Sequence, residues 1–173
     1  GLSAVPSNHP LNKGILGMHG NLGPNVMTNQ CDLLIAVGMR FDDRVTGNLA
    51  TYAKQAKIIH FDIDASEFNK NVKIDLGVLG NCKDTLKAVT ALIDETKHSS
   101  WSNGFEPYKE KEYNKVISKA LYPTEGPLLM GEVVNKVTET SGNEAILVTD
   151  VGQNQLFACR YFKFTKPRSI VTS

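Results

Sequence analysis

A chain of 173 residues with a formal net charge of +1 and 41% hydrophobic residues has the balance of an ordinary globular protein. Near-neutrality gives no electrostatic reason to expect nucleic acid or an anionic membrane as partner, and no apolar run approaches the roughly 20 residues that a bilayer span requires. Cys31, Cys82 and Cys159 are odd in number and widely spaced, which argues against a disulfide framework or a zinc site and for a reducing compartment. The opening Gly1-Leu2-Ser3-Ala4-Val5-Pro6 lacks a secretory pattern.

In chain order, residues 1–14 read as loop, punctuated by Pro6, Pro10 and small polar residues. Gly20-Asn21-Leu22-Gly23-Pro24 can open a short helix, with Pro24 tolerated in its first turn, running to about Gln30. The run Leu33-Leu34-Ile35-Ala36-Val37 predicts a strand (Asp32–Val37) buried on both faces of a parallel sheet, and Gly38 then opens the loop at its carboxyl end. That loop, Gly38-Met39-Arg40-Phe41-Asp42-Asp43-Arg44-Val45-Thr46-Gly47, carries two arginines and two aspartates in five positions, where open α/β sheets bind ligands. The competing reading is a solvated loop whose charges neutralise one another.

A weakly helical stretch is expected over Leu49–Ala56, then a second buried strand over Lys57–Ile63 with Asp62 and Asp64 at or just past its end. A carboxylate there can take both ribose hydroxyls, or Asp64 or Ser66 can cap the next turn; the two are compatible. Ile74–Leu79 reads as a short strand ending at Gly80, and Asp84–Thr96 as an amphipathic helix with Leu86, Val89, Leu92 and Ile93 on one face. His98–Gly104 is a polar linker, and Pro107–Leu121 a connecting helix with Tyr108, Tyr113, Val116, Ile117 and Leu121 on its buried face. A helix over Leu128–Thr140, a strand over Ala145–Thr149, a helix over Leu156–Phe162 and a strand over Ser169–Ser173 begin a second α/β unit. The fold class is therefore α/β: a partial, Rossmann-like, doubly wound parallel sheet followed by the start of another.

Between the strand over Ala145–Thr149 and the helix that follows it lies Asp150-Val151-Gly152-Gln153, a strand, glycine bend and helix start suited to a phosphate, because backbone N–H groups point at the anion with the helix dipole behind them. His9, His60 and His98 are isolated, with no ligand spacing between any pair, so no metal ligand is assigned.

Leu16-Gly17-Met18-His19-Gly20, the Arg40-Phe41-Asp42-Asp43-Arg44-Val45-Thr46-Gly47 string and Asp150-Val151-Gly152-Gln153 together resemble the catalytic large subunit of the acetolactate synthase (acetohydroxyacid synthase) family of thiamine-diphosphate enzymes, over nearly the whole chain. The resemblance implies that residues 1–98 are the later part of a central FAD-binding domain, 99–127 a linker and connecting helix, and 128–173 the start of a thiamine-diphosphate-binding domain. It implies that Leu16, Gly17, Met18, His19, Gly38, Met39, Arg40, Asp42, Arg44 and Val45 line FAD. Asp62, Ile63, Asn81 and Cys82 match positions at the adenosine end, Asn81 standing where the family usually has Asp. Val151, Gly152 and Gln153 match the diphosphate side, with Asn154 where the family more often has His.

Arg44 matches the arginine that receives the carboxylate of the second 2-oxo acid, a task for which a rigid bidentate fork is better suited than a lysine. The implied activity is decarboxylation of pyruvate and ligation of the two-carbon unit to pyruvate or 2-oxobutanoate, in branched-chain amino-acid biosynthesis. Thiamine diphosphate, Mg²⁺ and FAD are the implied cofactors. A homo-oligomer with a regulatory small subunit is the implied assembly, and the cytoplasm, or a plastid or mitochondrion in a eukaryote, the implied compartment. The family's activating glutamate is expected before Gly1 and its magnesium motif beyond Ser173, so the fragment alone is expected to be inactive. A pyruvate oxidase, another carboligase, or a non-catalytic nucleotide-binding module are the alternatives.

Overall fold

The computed structural model describes residues 1–172. The elements are α1 (Leu22–Thr28), β1 (Leu33–Val37), α2 (Asp43–Thr46), β2 (Lys57–Asp62), a 3₁₀ turn at Ala65–Glu67, β3 (Leu76–Leu79) and α3 (Cys82–Thr90). There follow α4 (Ser99–Asn103), α5 (Glu106–Glu112), a π-helical turn at Tyr113–Ile117, α6 (Ser118–Leu121), α7 (Met130–Thr140), β4 (Leu147–Thr149), α8 (Gln153–Tyr161) and β5 (Ile170–Thr172). They divide into two compact units, one of Asn25–Asn103 and one of Gly1–Pro24 with the chain from Gly104 onward.

The Asn25–Asn103 unit is built on a parallel sheet in the order β1-β2-β3, as the two apolar runs followed by polar loops predict. Leu33 to Val37 pair with Lys57 to Phe61, and Ile59 to Asp62 pair with Leu76 to Leu79. Side chains alternate across the sheet, so Leu34, Ala36, Ile58 and His60 share one face. That face is the core: Ala36, Phe41, Tyr52, Ala53 and Ile58 are buried together, with Leu34, Met39, Ala56, Val72 and Ile74 packed around them. Gly77 on β3 leaves room for Phe68, whose ring would lie 3.0 Å from a Cβ at that position. The opposite face corrects the expectation of a doubly buried strand: Leu33, Ile35 and Val37 are 46%, 53% and 42% exposed. An unbroken apolar run is compatible with burial on both sides but does not supply the second layer.

Two helical expectations in this unit are changed, one by local hydrogen bonding and one by packing. Leu49–Ala56 is a series of turns: the Asn48 side chain accepts the Ala50 N–H at 2.9 Å, and Ala53 sits at φ +44 with its N–H donated to Asn29 Oδ1 at 2.8 Å. These local bonds compete with a helical ladder. The helix α3 starts at Cys82, capped by Asn81 Oδ1 accepting the Lys83 N–H at 2.9 Å, and stops at Thr90 instead of Thr96. Its apolar stripe is half-buried at Val89 but exposed at Leu92 and Ile93, and a short helix whose stripe loses its packing surface has little reason to propagate.

In the other unit β4 and β5 are parallel, with α8 between them in the chain and α7 against α8. Gly131 permits that approach, since a Cβ there would lie 3.0 Å from the Ala120 carbonyl and 3.2 Å from the Tyr161 ring. The opening segment is tied to residue 164 by Ser7 N–H to Phe164 O at 2.6 Å and Phe164 N–H to Ser7 Oγ at 2.9 Å. The expected linker contains α4, and the expected single helix over 107–121 is interrupted by the π turn. An extra residue in one turn rotates the helical face, so Tyr113 and Val116 stay exposed while Glu112 is buried. α8 begins at Gln153, three residues before its predicted start, because Gly152 at φ +138 makes the bend immediately before it. The predicted last strand is β5, and Ser173 lies outside the described residues.

A β1 strand packed on one face only predicts unequal sensitivity across the β1–β2 pair. In urea unfolding of this chain, Ile58→Ala should lower stability by about 2–5 kcal/mol, whereas Ile35→Thr on the exposed face should change it by less than about 0.5 kcal/mol. Comparable losses would mean that β1 is packed on both faces. Asn81→Ala should cost about 0.5–2 kcal/mol through the lost α3 cap, and Asn81→Asp should restore it, both read from the same denaturation curves.

Candidate functional site

The carboxyl ends of β1, β2 and β3 put three of the predicted segments on one edge of the Asn25–Asn103 sheet. Backbone bonds fix their starting points: Gly38 N–H to Phe61 O at 2.8 Å, and Gly80 N–H to Asp62 O at 2.9 Å. Gly38, at φ +60, would have nothing within 4 Å of an added Cβ, so the backbone there is open to a close-lying ligand.

The charged loop is oriented by one residue. Phe41 adopts φ +52, uncommon for a bulky side chain, and is buried edge-on against His60 at 5.1 Å and Tyr52 at 6.3 Å between ring centroids. With Phe41 turned into the core, Arg40, Asp43 and Arg44 on either side are exposed. Asp42 organises what remains: Oδ1 accepts the Arg44 N–H at 3.1 Å as the cap of α2, and Oδ2 lies 3.4 Å from Arg40 Nη2. Arg44 Nη1 is 3.9 Å from Asp43 Oδ2, with both side chains largely in solvent, a pair of the kind that contributes little. Met39 and Val45 are half-buried beneath this loop.

At the next strand end Asp62 is buried, with Oδ1 accepting the Asp64 N–H at 3.0 Å, while Ile63 is exposed beside it. Asp64 caps the 3₁₀ turn through the Ser66 N–H at 2.9 Å, and that bond holds its carboxyl below the usual range. Beneath Asp62, His60 is fully buried. It lies between Phe41 and Phe68, its Nε2 is 3.5 Å from Asp62 Oδ2, and neither ring nitrogen makes a hydrogen bond. Asn81 faces the same edge as the α3 cap, followed by half-buried Cys82. In the sequence His60 reads as an isolated histidine; the signal for its role is a polar residue inside an otherwise apolar strand, two positions before Asp62.

Leu16, Gly17, Met18, His19, Val151, Gly152 and Gln153 belong to the other unit. The loop Ile15–Gly20 is closed at its base by Asn21, whose N–H donates to Ile15 O at 2.7 Å and whose Oδ1 accepts the Ile15 N–H at 2.9 Å. Gly20 N–H to Gly17 O at 2.9 Å tightens its tip, leaving Met18 and His19 exposed and Gly17 buried. Val151 and Gly152 form the exposed bend before α8; Val151 N–H is taken by Asp150 Oδ1 at 2.7 Å, and Asn154 Oδ1 would lie 3.1 Å from a Cβ at Gly152. Glu112 and Arg160, which no local pattern singles out, are an ion pair, Glu112 buried and Arg160 partly exposed, joining this loop to α8.

The donor sets suit their expected ligands. Exposed guanidinia and open glycine backbone at the sheet edge suit a dinucleotide's phosphates, and Asp62 retains acceptor capacity for a hydroxyl. The Gly152 bend before a nine-residue helix suits a diphosphate. No group of three or more His, Cys, Asp or Glu side chains among the described residues could hold a metal. No described helix is long and apolar enough to cross a membrane. The broad apolar groove lined by Tyr122, Leu128, Val133 and Val137 contains none of the candidate residues.

The chain is similar to several known proteins. The whole chain is 38% identical to the probable acetolactate synthase large subunit of Methanocaldococcus jannaschii, 35% to the acetolactate synthase large subunit of Haemophilus influenzae, and 36% to acetolactate synthase 1, chloroplastic, of Nicotiana tabacum. It spans 30%, 30% and 26% of their respective lengths. The family described as thiamine pyrophosphate enzyme, central domain, matches residues 1–89. These residues include both the Ile15–Gly20 loop and the entire parallel sheet of the second unit, and the chain therefore belongs to the thiamine pyrophosphate enzymes through their central domain.

Proposed function

We propose that the whole protein is the catalytic large subunit of an acetolactate synthase, which decarboxylates pyruvate and joins the two-carbon unit to a second 2-oxo acid, pyruvate or 2-oxobutanoate, in branched-chain amino-acid biosynthesis. The observation that carries this reading is similarity over the whole chain, at 35–38% identity, to proteins named acetolactate synthase large subunit. The exposed Arg40, Asp43 and Arg44 at the carboxyl edge of the sheet support it. Residues 1–98 then belong to the FAD-binding domain, 99–127 to the connection and 128–173 to the diphosphate-binding domain.

Thiamine diphosphate, bound with Mg²⁺, supplies the electron sink for decarboxylation. The chain's own residues bind and orient. Backbone N–H groups at Gly152 and Gln153 meet the diphosphate, with Val151 beside them. Gly38, Met39, Arg40, Asp42, Arg44 and Val45 contact FAD, as do Leu16, Gly17, Met18 and His19; Asp62, Ile63, Asn81 and Cys82 take its adenosine end. The net reaction is redox-neutral, so FAD serves as a structural part of the site. Arg44 receives the second substrate's carboxylate in a bidentate fork. A regulatory small subunit and self-association complete the assembly, the first supported by the words "large subunit" in the relatives' names. The compartment is cytoplasmic or, as the name of the tobacco relative suggests for plants, a plastid.

Arg44 is the residue on which this reading is tested. Losing a charge-assisted contact costs roughly 1.5–3 kcal/mol, so Arg44→Ala in the whole protein should lower kcat/KM for carboligation about 10- to 150-fold. Decarboxylation of the first pyruvate, followed in a single turnover, should fall much less, with flavin content unchanged by absorbance. Equal losses in both steps, together with lost flavin, would assign Arg44 a structural role instead.

A further inference from the structure

Within the unit that contains Gly1–Pro24, a buried carboxylate connects two segments that the proposed function assigns to different cofactors. Glu112, at the end of α5, is 8% exposed. Its Oε2 accepts the Leu22 N–H at 3.0 Å and lies 3.3 Å from Asn21 Nδ2, so it caps α1 and holds the residue that closes the Ile15–Gly20 loop. Its Oε1 is bonded to Arg160 Nη2. Arg160 also reaches the same loop directly, through Nη1 to Gly20 O at 3.4 Å, and its buried Nε has no partner. Arg160 stands in the last turn of α8, whose first residue is Gln153. Nine helical residues form a rod about 13 Å long, stiff enough to carry a displacement from one end to the other.

An ion pair drawn largely out of water is weak evidence for stability, because desolvation offsets much of the attraction; it is better suited to specifying one arrangement over others. Here it specifies the position of α8 against the base of the loop. We propose that Glu112 and Arg160 are positioning residues that couple the Ile15–Gly20 loop to α8, so that diphosphate binding at the Gly152–Gln153 bend strengthens flavin binding at Leu16–His19, and the reverse. This rests on the cofactor assignments of the preceding subsection. Linkage requires the two effects to be equal in size.

The test uses the whole protein freed of cofactors. FAD affinity is measured by flavin fluorescence with and without thiamine diphosphate and Mg²⁺, and thiamine diphosphate affinity with and without FAD. In the unaltered protein each should tighten the other by the same factor, on the order of 5- to 150-fold. In Glu112→Gln, and separately in Arg160→Gln as a milder change at a partly exposed side chain, the factor should fall toward one, and the double variant should lose no more than either single one. A merely structural pair would weaken both affinities and leave their ratio intact, which would overturn the coupling, as would a factor of one in the unaltered protein. Hydrogen exchange supplies a readout independent of flavin: thiamine diphosphate with Mg²⁺ should protect the Gly20, Asn21 and Leu22 amides in the unaltered protein and not in the variants. Protection unchanged in the variants would refute the proposal. Failure of the unaltered protein to bind FAD, with that protection still present, would count against the flavin assignment while supporting the tether.

Discussion

The parallel pairing of β2 on both of its edges is the constraint on which the candidate edge of the sheet depends. Register on one side sets Val37 against Phe61 and on the other sets Asp62 against Leu79. Three chain segments therefore leave the sheet at nearly the same level, and their first residues, Gly38, Ile63 and Gly80, stand side by side. A slip of one residue in either ladder would exchange the faces, sending Ile58 and His60 outward and Ile59 into the core. The burial of Ala36 and Ile58 on one face is thus also what determines which groups are presented at the edge.

That edge is polar because a few groups are withdrawn from it. Phe41 sits in the middle of the charged string, and its left-handed backbone is held in place by burial against His60 and Tyr52. Tyr52 is so enclosed that its hydroxyl is pushed up to about 12. The same His60 ring lies under Asp62. One buried imidazole therefore braces both the loop that carries Arg40 and Arg44 and the strand end that carries Asp62. A core containing an imidazole without hydrogen bonds is less stable than an apolar one of equal shape, and its place beneath two segments of the candidate site is the kind of local inconsistency that functional sites tolerate.

In the other unit the organising element is electrostatic. Glu112 gathers a helix N-terminus, an amide and a guanidinium around a single carboxylate, so a charge that would be costly alone is compensated from three directions. The Ile15–Gly20 loop is positioned by these contacts, since it has no strand or helix of its own. The glycine bend at Gly152 gains its orientation from the same helix that carries Arg160 in its last turn.

Local pattern alone determined the parallel sheet, the glycine and aspartate positions at its carboxyl end and, through the Arg40–Gly47 string, the family. It did so because an apolar run, a glycine with its special backbone and a charged loop report geometry that each segment imposes on itself. Covering layers and remote partners were decided only by the tertiary structure. Leu33, Ile35 and Val37 read the same whether or not a second layer lies over them, and Leu92 and Ile93 extend a helix only if their stripe finds a surface. The burial of Glu112 requires Asn21, 91 positions away, and Arg160, 48 positions away. In a helical pattern such a residue is one charge among several, and only closure of the chain, by removing its water, turns it into the group on which the loop and helix depend.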